Sequence, residues 1–280
     1  MTDITPRTGE ALLNGVPFFY EITGQGHPLV LAHAGVADQR MWDEQISIFA
    51  QHYQVIRYDL RGYGKTPMIT GTFSHQNDLY SLLQFLDIQS AYLLGCSLGG
   101  MTIIDFTLEH PTMVNALIPV SCAPGGYQPS ANDMSDLGPV LKLQQEHEAA
   151  IKRGDINRAA ELEANYWLTG PHRSIDQIDA TILTRMNEMN KIALKNKVAG
   201  LGKELPLEPP AINRLSIIHV PTLTIIGDLD DPFVLKGNNL LTTGILDAKK
   251  VVIADTAHFP NMERPDEFNH VVLDFLASLT

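Results

Sequence analysis

The chain is poor in cysteine, poor in positive charge and without any long apolar run, and each lack disfavours a class of function. Its two cysteines, Cys96 and Cys122, lie in neither a CxxC nor a Cys/His ligand spacing, so structural zinc and a disulfide framework are both disfavoured. Lys and Arg number 20 against 32 Asp and Glu, a formal net charge of -12 with histidines neutral. A surface of that sign repels polyanions, so nucleic acid is not an expected partner. The longest apolar stretches break early: Tyr92 to Met101 carries three glycines and Asp105 interrupts the next run, which leaves no expected membrane span. Met1 to Glu10 has neither a basic start nor an apolar core, so no secretory signal is read there and the expected address is the cytoplasm. No internal repeat and no low-complexity tract is visible.

The chain does hold material for a large core, with 44% hydrophobic and 19% charged residues over 280 positions. Asn14-Gly15 stands between two apolar runs, the dipeptide that a tight antiparallel hairpin needs because both residues tolerate positive φ. Short apolar runs follow at Pro28–Ala32, Gln54–Tyr58, Ala91–Leu94 and Val114–Ile118, separated by helical spacing at about Trp42–His52, Ser74–Leu86 and Leu98–His110. Near-continuous apolar strands alternating with helices predict an α/β fold with a mostly parallel sheet and helices on both faces. From about Ala123 to Leu215 the text turns polar and helical with no strand signal. This predicts a helical insertion, a stretch too long to be a loop. Strand text returns at Pro221–Ile226 and Lys250–Ile253, with a last helix at about Pro265–Leu279. The expected organisation is therefore a core of residues 1–123 and 216–280 carrying a helical cap of residues 124–215.

Gly95-Cys96-Ser97-Leu98-Gly99 matches GxSxG directly after an apolar strand and directly before a helix. Such a turn strains the serine backbone and presents its hydroxyl above the strand ends, which makes Ser97 the candidate nucleophile. The amide of Leu98, at the helix N-terminus, is a candidate oxyanion donor. A serine hydroxyl needs a base at neutral pH, and a histidine serves when a carboxylate fixes its tautomer. His258 follows the last strand, and Asp228, Asp230 and Asp231 follow the one before, all at the edge expected for Ser97. Cys96 is expected to point into the core, and Asp59 with Arg61 to form a turn-stabilising pair. In the insertion, Tyr166, Trp167 and His172 are candidate pocket residues.

These motifs resemble the α/β-hydrolase fold family. The likeness extends to Leu31-Ala32-His33-Ala34-Gly35 with Trp42 nine residues after the histidine, and to Asp59-Leu60-Arg61-Gly62-Tyr63-Gly64-Lys65-Thr66. The resemblance implies an eight-stranded sheet. It selects Asp230 as the acid through the family's GxxD spacing, assigns the second oxyanion amide to Gly35 with Val36 as its neighbour, and gives His33 a structural role. The chain departs from the family where Ala34 replaces the usual glycine. Gly154 to Trp167 is similar to the 3-oxoadipate enol-lactonase and carboxylesterase branch, which implies small esters or lactones as substrates, no metal or organic cofactor, and a monomer or homodimer. Carbon–carbon bond hydrolases, cofactor-free perhydrolases and hydroxynitrile lyases on this fold also keep the serine, and a non-turnover ligand receptor is the alternative from another class.

Overall fold

The computed structural model of the protein describes residues 5–128 and 138–279. Strands β1 (Arg7–Leu13) and β2 (Val16–Thr23) form the expected hairpin, with Leu13 opposite Val16 and φ of 49° and 77° at Asn14 and Gly15. Then come β3 (Pro28–Ala32), α1 (Asp43–Phe49), β4 (Gln54–Tyr58), β5 (Gly71–Phe73), α2 (His75–Phe85), β6 (Ala91–Cys96), α3 (Leu98–Glu109) and β7 (Val114–Val120). Helices α4 (Gly138–Lys152), α5 (Ile156–Thr169) and α6 (Ala180–Ala199) follow, then β8 (Gly202–Glu204). The chain ends with β9 (Leu223–Gly227), α7 (Pro232–Gly244), β10 (Lys249–Ile253), α8 (Pro260–Glu263) and α9 (Pro265–Ala277).

The main sheet has eight strands in the order β1-β2-β4-β3-β6-β7-β9-β10, parallel throughout except at β1 and β2. Alternate residues of each central strand feed opposite layers. Leu29 and Leu31 of β3 join Leu94 of β6 and Phe268 and Phe275 of α9 on one side, while Val30 and Ala32 join Leu93 and the α2 and α3 residues Leu79, Leu82 and Ile103 on the other. Because β3 lies between β4 and β6, the chain leaves β3 in one direction and returns to its far side. The loops after β3 and β6 therefore diverge and open a crevice at the strand ends.

The helical segment does not form a free-standing unit. Ala164 and Leu168 of α5 and Met186 and Met189 of α6 are buried in the same apolar layer as the loop residues Phe259 and Ala34, so the helices are joined to the core at the loops beyond the strand ends. At the far end of the expected insertion, Leu207, Ala211 and Leu215 pack in the opposite layer. Residues 129–137 of the expected cap range lie outside the described residues. One strand was not expected there: β8 pairs in parallel with β5 as a separate two-stranded ribbon. Each partner is three residues long, too short to show an alternation of apolar and polar positions.

Candidate active site

Ser97 occupies the single residue between β6 and α3, with φ 52° and ψ −113°. An L-residue in that conformation costs about 1–3 kcal/mol, so the surroundings must hold it. The hold is backbone packing. Ser97 N–H donates to the Val120 carbonyl at 2.9 Å, and Met101 N–H donates to the Ser97 carbonyl at 2.9 Å. Helix α3 approaches the sheet so closely that a Cβ at Gly99 would lie 2.2 Å from the Ala32 carbonyl oxygen, and one at Gly95 would lie 2.4 Å from that of Gly99. Ser97 lines a cavity of about 420 Å³ together with Gly35, Val36, Leu98, Trp167 and His258.

His258 is buried, and its Nδ1 lies 3.0 and 3.1 Å from the two carboxylate oxygens of Asp230, which is also buried. With Nδ1 donating to that carboxylate, proton exchange toward the cavity falls to Nε2. The neighbouring carboxylates are otherwise placed. Asp228 is exposed, and Asp231 caps α7 by accepting from Phe233 N–H at 2.7 Å. Asp255 is exposed and pairs with Arg264 at 3.1 Å. Of the candidate acids, Asp230 alone meets the imidazole. Cys96 is fully buried beneath the turn, and burial, helped by the charge on Asp230, pushes its thiol well above the usual range. That environment suppresses the thiolate a cysteine nucleophile would need.

Gly35 and Leu98 meet at the cavity, close enough that a Cβ on Gly35 would sit 3.4 Å from Leu98 Cβ. The loop carrying Gly35 is tied down by His33. Its Nε2 accepts from Leu60 N–H at 2.9 Å, so its Nδ1 carries the proton and donates to the Ala34 carbonyl at 2.8 Å. Burial lowers its pKa, opposed by the Asp59 charge, which suits a neutral structural imidazole. Arg61 and Asp59 do not form the expected pair. Asp59 accepts the amides of Gln39 and Lys65 at 2.9 and 2.8 Å, and Arg61 instead reaches Asp78 on α2 in a bidentate pair at 2.7 and 2.8 Å. Asp59 is committed to holding two loops, and a partner on a distant helix leaves no local signal.

Of the three candidate pocket residues in the helical segment, Trp167 lines the cavity and packs on His258 with ring centroids 4.3 Å apart. Tyr166 is the adjacent residue on a helix and so points about 100° away; its hydroxyl hydrogen-bonds Asp231. His172 lies beyond the end of α5 and is exposed. Sequence reading missed the α6 contribution to the cavity, Ala193, Asn196 and Lys197, of which Asn196 donates to the Gly62 carbonyl at 2.8 Å. Among the described residues no His/Cys/Asp/Glu group is arranged to hold a metal, and no helix is long and apolar enough to cross a membrane.

A strained serine at a strand-to-helix turn, facing a cavity with a carboxylate-bound histidine at the carboxyl ends of a mostly parallel sheet, is joined by a match over residues 27–265 to the model of the alpha/beta hydrolase fold. The chain belongs to the alpha/beta hydrolase fold family. It is 25% identical over 276 residues to 2-hydroxy-6-oxo-6-(2'-aminophenyl)hexa-2,4-dienoic acid hydrolase of Metapseudomonas resinovorans, covering 94% of this chain and 88% of that one. It is 24% identical over 249 residues to 3-oxoadipate enol-lactonase 2 of Acinetobacter baylyi, covering 87% and 86%. Among solved structures, that of Est816, an N-acyl homoserine lactone degrading enzyme, superposes with a TM-score of 0.72 at 27% identity, covering 95% of this chain and 99% of that one.

Proposed function

We propose that this alpha/beta hydrolase cleaves small carboxylic esters or lactones through an acyl-enzyme on Ser97. The observation that carries the reading is the buried His258–Asp230 pair lining, through His258, the cavity that Ser97 enters. In the first half-reaction Ser97 Oγ attacks the carbonyl carbon and His258 Nε2 takes the hydroxyl proton. The charge that forms on the carbonyl oxygen is met by the amides of Leu98 and Gly35. The carbon–oxygen bond breaks, the leaving alkoxide takes the proton from His258, and water then repeats the sequence in reverse to release the acid. In a lactone the alkoxide stays on the same molecule, so one product forms. The α5 and α6 residues over the cavity act as a lid that limits substrate size, and a volume near 420 Å³ fits small molecules.

A second reading has a specific observation behind it. The relative from Metapseudomonas resinovorans is named for hydrolysis of a 2-hydroxy-6-oxo-dienoic acid, a compound with no ester linkage. Its hydrolysis breaks a carbon–carbon bond beside a ketone, for which the same serine, histidine and carboxylate would serve. The decisive experiment is a matched panel of p-nitrophenyl esters, aliphatic lactones and vinylogous 1,5-diketones, assayed with wild type and Ser97→Ala. Ester or lactone turnover that disappears in the variant is the expected result. Turnover confined to the diketones would select the second reading, and undiminished ester cleavage by Ser97→Ala would overturn both.

A further inference from the structure

The end of α5 touches both loops that carry the acid and the base. Gly170, with φ 62°, closes α5 so tightly against the acid loop that a Cβ there would lie 2.0 Å from the Leu229 carbonyl oxygen, and the Tyr166 hydroxyl binds Asp231. On the base side, the Trp167 ring packs on the His258 ring, and the Trp167 carbonyl accepts from His258 N–H at 3.4 Å. Beyond the helix, a single guanidinium gathers these parts. Arg173 donates to the α5 carbonyls of Leu168 at 2.6 Å and Thr169 at 3.2 Å, and to the Asp255 carbonyl at 3.2 Å. It also pairs with Glu263 at 2.6 Å, both side chains being nearly buried at 12% and 9% exposure. Glu263 in turn accepts the amide of Ala257, the residue before His258, at 2.9 Å.

We propose that Arg173 is a positioning residue for His258: it joins the end of the helical lid to the base loop, so that lid seating and imidazole orientation form one mechanical unit. This rests on the reading of His258 as the base for Ser97. The reason lies in hydrogen-bond satisfaction. The last carbonyls of a helix need donors, and the 255–258 loop presents a carbonyl at Asp255 and an amide at Ala257 that face the helix end and α8. One planar fork of N–H donors, with its carboxylate partner, satisfies the helix end and both of these groups. Without Arg173, Glu263 keeps its burial and loses its counter-charge, which pushes its carboxyl further toward the neutral form than burial already does. The loop then keeps the Trp167 contacts, the Ala257–Glu263 hydrogen bond and the bond from Leu229 N–H to the Thr256 carbonyl, but loses the guanidinium that ties it to the end of α5.

The test compares two lid attachments. Arg185 on α6 binds Glu44 at 2.8 and 3.0 Å, a pair with no hydrogen bond to the 255–258 loop among the described residues, and serves as the control. Arg173→Met, Arg173→Lys, Glu263→Gln and Arg185→Met are compared with wild type by ester kcat and KM, by the rate of fluorophosphonate labelling of Ser97, and by the downfield proton resonance of the His258 Nδ1–Asp230 hydrogen bond. Arg173→Met is expected to lower kcat and labelling rate about 10- to 100-fold with KM changed less than about twofold, and to broaden the resonance. Arg173→Lys, which keeps the charge opposite Glu263 but not the fork, falls between. Glu263→Gln retains an acceptor for Ala257 N–H and follows Arg173→Met in direction with a smaller loss. Arg185→Met stays within about twofold of wild type. Equal losses in Arg173→Met and Arg185→Met, or an unchanged rate and resonance in folded Arg173→Met and Arg173→Lys, would overturn the proposal. A wild-type protein that neither labels nor hydrolyses would instead remove the reading of the site beneath it.

Discussion

Ser97 sits in a turn supported by the sheet and by α3, whereas Asp230 and His258 sit in loops supported partly by the end of α5. The serine is held by backbone contacts: its own amide to Val120, and the approach of α3 to β3 that only glycine at 99 permits. The loops carrying Asp230 and His258 share backbone contacts of their own, with Leu229 N–H donating to the Thr256 carbonyl at 2.9 Å, and are braced in addition by side chains, through Trp167, Tyr166, Arg173 and Glu263. A turn made of backbone changes only if the fold changes. Loops braced in part by side chains of an inserted segment can be retuned by substitutions in that segment, which would let the placement of His258 vary while the Ser97 turn stays fixed.

The contrast is open to direct attack. On the loop side, Asp230→Asn leaves the imidazole without a carboxylate to set its tautomer and is expected to lower kcat about 10³- to 10⁴-fold with little change in melting temperature. Asp228→Asn, at an exposed carboxylate with no place beside the imidazole, stays within a factor of about 3; the reverse order in steady-state assays would reassign the acid. On the serine side, Gly99→Ala forces a methyl group into the Ala32 carbonyl and is expected to cost about 3 kcal/mol or more in urea unfolding. A stable, inactive Gly99→Ala protein would break the claim that this half is held by the fold itself.

The buried pair of Arg61 and Asp78 lies on the core side as well. Arg61→Met strands a carboxylate at 2% side-chain exposure and is expected to destabilise by about 3 kcal/mol, while Arg61→Met with Asp78→Leu recovers much of that loss in the same unfolding assay. A smaller effect belongs to Asp105 on α3, one of whose carboxylate oxygens is buried without a partner. Burial, with the charges of Glu109 and Glu204 behind it and Arg214 opposing, pushes its pKa up from 3.8 to about 7. The folded protein therefore holds this proton more tightly than the unfolded chain. Its contribution to stability is complete below the unfolded value and is lost as pH rises through about 7. Asp105→Asn stays neutral throughout and should stabilise the protein by about 1–2 kcal/mol at pH 8.5 and far less at pH 5. An equal gain at both pH values in thermal melts would contradict this.

The sheet, the hairpin and the three polar residues of the site were legible because each has a local signature. Asn14-Gly15 is written in its φ preference, Ser97 in the small residues around it, and Asp230 and His258 in their position after apolar strands. The illegible parts depend on contacts between distant segments. Asp78 as the partner of Arg61 comes from α2, seventeen residues along the chain, and the choice of Trp167 over Tyr166 turns on which side of α5 faces the cavity. The packing of α5 and α6 into the main apolar layer could not be read either: Ala164 with Leu168 and Met186 with Met189 have the spacing of a buried helix face, but a period marks a face without naming what covers it. Strands of three residues fall below the length at which any period appears.

The central claim is that the hydroxyl of Ser97 is made nucleophilic by His258 and Asp230. Intact-protein and peptide mass spectrometry after fluorophosphonate treatment tests it most directly. One adduct per chain is expected, on Ser97, absent in Ser97→Ala and formed at least about 100-fold more slowly in His258→Ala. An adduct on another residue, or labelling of Ser97 at an undiminished rate without His258, would contradict it.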